Sequence, residues 1–242
     1  MKILVTSGGT KIPIDNVRHI TNMSSGTFGS KIATEFLNLG HEVVFFKAKN
    51  SKSPVSITID LIKNNYKIGE FSNWYNKVSK YLNLYKEIEY NTFNEYKTLL
   101  ENVIKSELPD IILLCAAVSD YGIDRVYDGK IRTSESLNIK LTELPKVIRF
   151  IKQWHSTCKL VGFKLLVNSN ESQLIDAAKN SIKNNGCDMV VANDLSDIKK
   201  SNHKIHLVFP DKETINYSLE SNNSNYLANK VVHHSLELST TP

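Results

Sequence analysis

The 242-residue chain has no apolar run long enough to cross a bilayer, and no apolar leader precedes the strand-like residues that begin at Lys2. The expectation is a cytoplasmic protein with no membrane partner. Cysteine is scarce: Cys115, Cys158 and Cys187 are three in number, lie far apart, and form no Cys-x-x-Cys pair. That argues against a disulfide framework or a thiolate zinc site and leaves buried, reduced thiols. His233 and His234 are adjacent on one helix and point in different directions, so they do not make a metal pair. Dense basic runs with interleaved aromatics are missing too, and the net charge is only +5, with a pI near 8.9. Such a balance suits anionic small molecules better than nucleic acid. No internal repeat breaks the chain up, and a hydrophobic content of 41% can fill one substantial core, so residues 1–242 are read as a single domain.

What is present is organised around Lys2–Leu39. Lys2–Val5 is a short strand-forming run, and Gly8 and Gly9 after it let the backbone turn sharply and lie close to a ligand. Beyond a polar connection, Ser24, Ser25 and Gly26 open a helix whose apolar residues Phe28, Ile32, Ala33, Phe36 and Leu37 recur at three- and four-residue spacing; Gly40 supplies the stop. Free N–H groups, hydroxyls and the positive end of the helix dipole converge at this N-terminus, a combination suited to phosphate. An ordinary capped helix would carry the same serines and glycines. The second strand, His41–Phe46, ends in Lys47 and Lys49. A dinucleotide-binding unit would show a compact Gly-x-Gly-x-x-Gly turn and an acidic residue near that point. Neither is present, although an NADP-dependent reductase could use lysines there.

Further along, residues 51–83 lose clear order, with Val55–Ile59 as a candidate strand. Leu84–Tyr90 reads as a strand, Phe93–Lys105 as a helix, and Asp110–Val118 as the continuous apolar run of a central parallel strand. The carboxyl end of that run delivers Ala116, Ala117 and Asp120 to the crevice where open α/β sheets bind ligands. Asp120 could meet a ribose, a base or a magnesium ion, or only form a turn. Gly122–Ser136 is polar and reads as a mobile flap, Leu137–Leu141 alternates like a strand, and Pro145 stands at a favoured first-turn position of a helix. Lys159–Leu166 is a strand and Glu171–Asn185 a helix, with Lys179 and Lys183 on one face. Cys187–Ala192 is a further buried strand, closed at the crevice edge by Asn193 and Asp194. His206–Phe209 and Thr214–Tyr217 form a late hairpin, and Asn225–Leu236 a last helix. The expected fold is a doubly wound, Rossmann-like α/β sheet, mostly parallel, with a C-terminal antiparallel hairpin.

Gly8-Gly9-Thr10, the run Ile14-Asp15-Asn16-Val17-Arg18-His19-Ile20-Thr21-Asn22-Met23-Ser24-Ser25-Gly26, Cys115–Tyr121, Lys130-Ile131, Leu144-Pro145-Lys146, Val161–Val167 and Val191–Leu195 follow one another in order. Together they resemble the phosphopantothenate–cysteine ligase family of the coenzyme A pathway, in its stand-alone bacterial form and over nearly the whole chain. The resemblance implies that 4′-phosphopantothenate is activated by a nucleoside triphosphate, CTP ahead of ATP, with Mg2+. An acyl-nucleotidylate and pyrophosphate form, and the amine of L-cysteine then displaces the nucleoside monophosphate. It implies catalytic roles for Asn22, holding the acyl intermediate, and for Lys130, reaching over the reacting groups from the flap. It further implies nucleotide contacts at Gly8, Gly9, Ser24, Ser25, Gly26, Ala116, Ala117, Asp120, Lys130, Pro145, Lys146, Phe163, Lys179 and Lys183, with Phe163 facing the base unless it is an ordinary core ring. Against the family pattern, residues 51–83 look like an insertion, and Leu166 stands where many members carry an acid. A homodimer working beside a separate phosphopantothenoylcysteine decarboxylase is expected. An NAD(P)-dependent reductase and a catalytically silent nucleotide-binding protein are the readings from other classes.

Overall fold

The computed structural model describes residues 1–56, 79, 81–133, 137–199, 203–219 and 225–240. The chain opens with β1 (Lys2–Ser7), β2 (Lys11–Pro13), β3 (His19–Thr21), α1 (Thr27–Asn38), β4 (Glu42–Ala48) and β5 (Tyr85–Tyr90). Its middle is α2 (Phe93–Glu107), β6 (Ile111–Leu114), β7 (Tyr121–Ile123) and β8 (Leu141–Glu143). A 3-10 turn, Val147–Phe150, runs into α3 (Ile151–Trp154). There follow β9 (Lys159–Leu166), α4 (Glu171–Asn185), β10 (Met189–Asp194), α5 (Leu195–Lys199), β11 (Lys204–Val208), β12 (Ile215–Ser218) and α6 (Tyr226–Thr240).

One sheet of eight strands runs in the order β12-β11-β10-β9-β6-β1-β4-β5. From β10 to β5 every neighbouring pair is parallel, while β11 and β12 add the antiparallel hairpin. The parallel strands are apolar at successive positions because both faces of the sheet are covered. On one face Leu4, Ile112, Leu160 and Val190 share a core with Tyr96 and Leu100 of α2 and with Leu174 and Ala178 of α4. On the other, Val5, Leu113, Val161 and Val191 share a core with Ile32 and Phe36 of α1 and with Leu227 and Val231 of α6. Reciprocal capping boxes, Thr92 with Glu95 and Asn170 with Gln173, fix where α2 and α4 begin. The strand order reverses at β1: the chain steps outward to β4 and β5, then returns to β6 on the other side. This is the doubly wound α/β architecture, and the reversal leaves a crevice outside the carboxyl ends of β1 and β6.

Several stretches differ from expectation. The apolar run Asp110–Val118 is strand only over Ile111–Leu114. Past Cys115 the backbone turns to bridge the crevice mouth, Gly9 pairing with Ala117, whose N–H donates to the Gly8 carbonyl at 2.8 Å. The polar connection after Thr10 is an arm rather than a plain loop, because β2 and β3 pair antiparallel with Ile12 opposite Ile20. Flanking the flap, β7 pairs with β8, Tyr121 opposite Glu143, so strand begins at Leu141 instead of spanning Leu137–Leu141. Pro145 precedes a 3-10 turn where a regular helix was expected. In the 51–83 stretch, residues 54–56 are helical, whereas residues 57–78 and 80, with most of the candidate strand Val55–Ile59, lie outside the described residues. So do residues 134–136 of the flap.

Candidate active site

The crevice is built by short polar bonds between segments distant in sequence. Thr10 Oγ1 donates to Ser119 Oγ at 2.9 Å and accepts from the Ser119 N–H at 2.8 Å. These buried bonds lock the loop after β1 to the loop after β6. Asn22, at the point where the arm returns to the sheet, places its Nδ2 at 3.2 Å from the carbonyl oxygens of both Ala117 and Val118. Two acceptors require a donor between them, so the NH2 end of the amide faces the backbone and Oδ1 is the end left for a ligand. The close approach explains Gly9: a Cβ there would stand 2.7 Å from the Asn22 carbonyl oxygen.

Beside Asn22 lies the start of α1. Gly26 caps it with φ 75° and no side-chain cap, and a Cβ at Gly26 would come within 2.9 Å of Ser7 Oγ and Ser51 Cβ. Ser7 Oγ and Ser30 Oγ both donate to the Gly26 carbonyl, at 3.0 and 2.9 Å. Ser24 is half-buried, and Ser25 is exposed with its Oγ 2.9 Å from Thr27 Oγ1. In the first turn Thr27 and Phe28 are half-buried and Gly29 and Ser30 buried; Gly26 has no side chain to cap it, and Thr27 N makes a long 3.4 Å bond to Ser25 Oγ.

Asp120 is exposed and ion-paired with Lys146, and its carbonyl accepts from Leu144 N at 2.8 Å. The pair ties the β6 loop to the segment carrying Pro145, which is exposed next to it. Among the described residues, no three His, Cys, Asp or Glu side chains converge as metal ligands. Lys130 is exposed, between Gly129 and Ile131.

Phe163 emerges near the carboxyl end of β9 with its ring edge-on to Phe28, centroids 6.2 Å apart. Phe28 also meets His203 edge-on at 5.5 Å, and Asn193 Nδ2 lies 3.2 Å from His203 Nε2. Burial first, then the Lys31 charge, lowers the His203 pKa against an opposing pull from Asp197. Sequence reading did not find this aromatic wall, because Phe28 and His203 are far apart in the chain and carry no local motif. It also missed the use made of Asp194. This buried carboxylate accepts from Ser196 Oγ at 2.5 Å, Ser169 Oγ at 2.7 Å and the N–H groups of Asn168, Ser169 and Ser196. The donors, Ser196 first, hold it well below the usual carboxylate range. Lys179 and Lys183 are exposed on α4, which starts at the carboxyl-end rim and runs away from it. At 1.5 Å per residue they stand about 12 and 18 Å along the helix from its first residue. The three thiols are free, and burial pushes Cys158 up to about 11 and Cys187 to about 12.

A family model, the DNA/pantothenate metabolism flavoprotein C-terminal domain, matches residues 1–69 and 79–238. The chain is 32% identical over 210 residues to the coenzyme A biosynthesis bifunctional protein CoaBC of Thermococcus kodakarensis, a match covering 87% of this chain and 45% of that protein. It thus spans less than half the length of that relative. Phosphopantothenate–cysteine ligase 1 of Oryza sativa is 30% identical over 237 residues, covering 86% of this chain and 72% of the rice protein. The crystal structure of the DNA/pantothenate metabolism flavoprotein from Streptococcus pneumoniae superposes with a TM-score of 0.75 at 25% identity, covering 98% of this chain and 97% of that one.

Proposed function

The chain belongs to the family of the DNA/pantothenate metabolism flavoprotein C-terminal domain, and we propose that it is a phosphopantothenate–cysteine ligase of coenzyme A biosynthesis. The carboxylate of 4′-phosphopantothenate attacks the α-phosphorus of a nucleoside triphosphate, CTP in preference to ATP, and pyrophosphate leaves. The amine of L-cysteine then attacks the acyl carbon of the acyl-nucleotidylate, the nucleoside monophosphate departs, and the amine loses a proton to solvent. The observation that carries this reading is the Asn22 amide latched onto the loop after β6, five residues before α1 begins, at the sheet's reversal point.

The reaction must gather several anions and hold a reactive acyl group away from water. The N-terminus of α1 offers oriented N–H groups without a mobile charge, and Lys130 offers a compact cation with three donors for the charge that builds on the α-phosphate. The outward Oδ1 of Asn22 accepts a hydrogen bond from the substrate without adding negative charge to the site. Phe163 presents a ring to the base, with Phe28 and His203 behind it. Asp120 and Lys146, already paired, shape the rim. Magnesium supplies charge neutralisation as the counter-ion of the triphosphate. Lys179 and Lys183, exposed on one face of α4, are the further cations proposed for the triphosphate. The working form is a homodimer acting beside a phosphopantothenoylcysteine decarboxylase.

Mass spectrometry tests the reading. Purified protein with 4′-phosphopantothenate, L-cysteine and CTP should yield phosphopantothenoylcysteine, faster than with ATP. The absence of that product with either nucleotide, from folded protein, would overturn it.

A further inference from the structure

The arm formed by β2 and β3 has a root and a tip, and each is fastened to a different part of the site. At the root, Lys11 N donates to the Asn91 carbonyl at 3.0 Å, Thr21 Oγ1 to the Thr10 carbonyl at 3.0 Å, and Asn22 latches onto Ala117 and Val118. The tip, Ile14–Arg18, lies three strand residues farther out, about 10 Å. There it meets the segment Tyr127–Ile131. Tyr127 N donates to the Ile14 carbonyl at 2.9 Å and Asn16 N to the Gly129 carbonyl at 3.1 Å. Asn16 Nδ2 reaches Asp128 Oδ1 at 3.4 Å. Ile131, the neighbour of Lys130, is gripped from both sides of its own peptide units: its N–H donates to Asp15 Oδ2 at 3.1 Å, and its carbonyl accepts from Arg18 Nη2 at 2.9 Å.

Asp15 is the hub. Its side chain is fully buried, which for a carboxylate is tolerable only with complete pairing. Oδ1 accepts from the N–H groups of Val17 and Arg18, at 2.9 and 2.8 Å, and so folds the tip. Oδ2 accepts from Arg18 Nε at 2.9 Å, from Arg18 Nη2 and from Ile131 N. One oxygen shapes the turn, and the other joins the Arg18 guanidinium to the peptide next to Lys130. The Arg18 guanidinium is the first cause that holds this carboxyl well below the usual range, so it remains an acceptor at all physiological pH values.

We propose that Asp15, acting with Arg18, is a positioning residue for Lys130: it staples the Lys130 loop to the tip of the arm whose root carries Asn22. The two side chains given catalytic roles above are thereby set on one rigid lever. The proposal rests on the reading of Lys130 as a catalytic residue. It also narrows the flap, because residues 127–131 are bound down rather than free to swing, and any closure carries arm and loop together.

Asp15→Asn is the sharp variant. In place of Oδ2 it puts an NH2 group against the Arg18 guanidinium and the Ile131 N–H, donors facing donors, while Oδ1 can still hold the turn. Amide hydrogen exchange of the full chain without substrate should show residues 127–131 exchanging at least tenfold faster in Asp15→Asn, with β1 and β6 unchanged. Arg18→Lys, which keeps the charge but not the fork of donors, should give a smaller acceleration of the same segment. In turnover assays Asp15→Asn should lower kcat tenfold or more and leave the nucleotide KM within about twofold. Unchanged exchange at 127–131 in both variants would overturn the staple. Accelerated exchange with unchanged kcat would overturn the positioning role. If wild-type protein releases no pyrophosphate, the ligase reading fails, and the exchange comparison still decides whether Asp15 holds the loop.

Discussion

Strands β6 and β3 both border the crevice, yet opposite physics holds them. Every residue of β6, Ile111–Leu114, is buried, whereas every residue of β3, His19–Thr21, is exposed. The first stays in place by removing apolar surface from water on both faces of a sheet, which is favourable at about 25 cal/mol per Å2. The second buries far less, Ile20 being 39% exposed, and its arm is held by Ile12 of β2 in the core and by polar bonds at root and tip. The sheet supplies stability and the arm supplies geometry. Damage to one should therefore show in melting, and damage to the other in chemistry.

The largest effect should come from Lys130→Ala. Turnover should fall by about two to three orders of magnitude, the scale of losing one transition-state charge partner, while nucleotide binding by calorimetry changes little. Retained turnover would remove Lys130 from the reaction. Asn22→Asp follows. A carboxylate oxygen would face the carbonyls of Ala117 and Val118 where Nδ2 now donates, and a new negative charge would sit among anionic substrates. Product formation should drop by about a hundredfold with the melting temperature nearly unchanged; an unimpaired variant would discard the assignment. The converse break is Leu113→Ala in fully buried β6. It should cost about 2–5 kcal/mol of stability, read by denaturant titration, with activity per folded molecule retained.

The smallest effect concerns acid. Asp15 has a folded-state pKa below its ordinary value of 3.8, so its carboxylate contributes fully above about pH 4 and loses that contribution as pH falls through the lowered value. The stability gap between wild type and Asp15→Asn should accordingly be constant from pH 5 to 7 and shrink below pH 4. A gap that widens on acidification would contradict the pairing.

The same contrast governs what could be read from sequence. Lys2–Val5, Lys159–Leu166 and Glu171–Asn185 were legible because burial on two faces, or on one helical stripe, writes a hydrophobic period into the chain. Asn22 and Lys130 were named only through a family resemblance, since one amide or one lysine has no periodicity. The run at Asp110–Val118 was read too long, because Ala116 and Ala117 are as apolar as strand residues, although Ala116 N donates to Thr6 Oγ1 and Ala117 N to Gly8. The staple of Asp15 and Arg18 on Ile131 was invisible for a related reason. Its partners are more than a hundred residues apart, and the contact joins a side chain to backbone, which any residue type at 131 except proline could offer.

Pyrophosphate release by purified protein with magnesium, 4′-phosphopantothenate and L-cysteine, supplied in parallel with CTP or ATP, tests the central claim most directly. Release should require 4′-phosphopantothenate and be faster with CTP. Release independent of 4′-phosphopantothenate, or none with either nucleotide from folded protein, would contradict it.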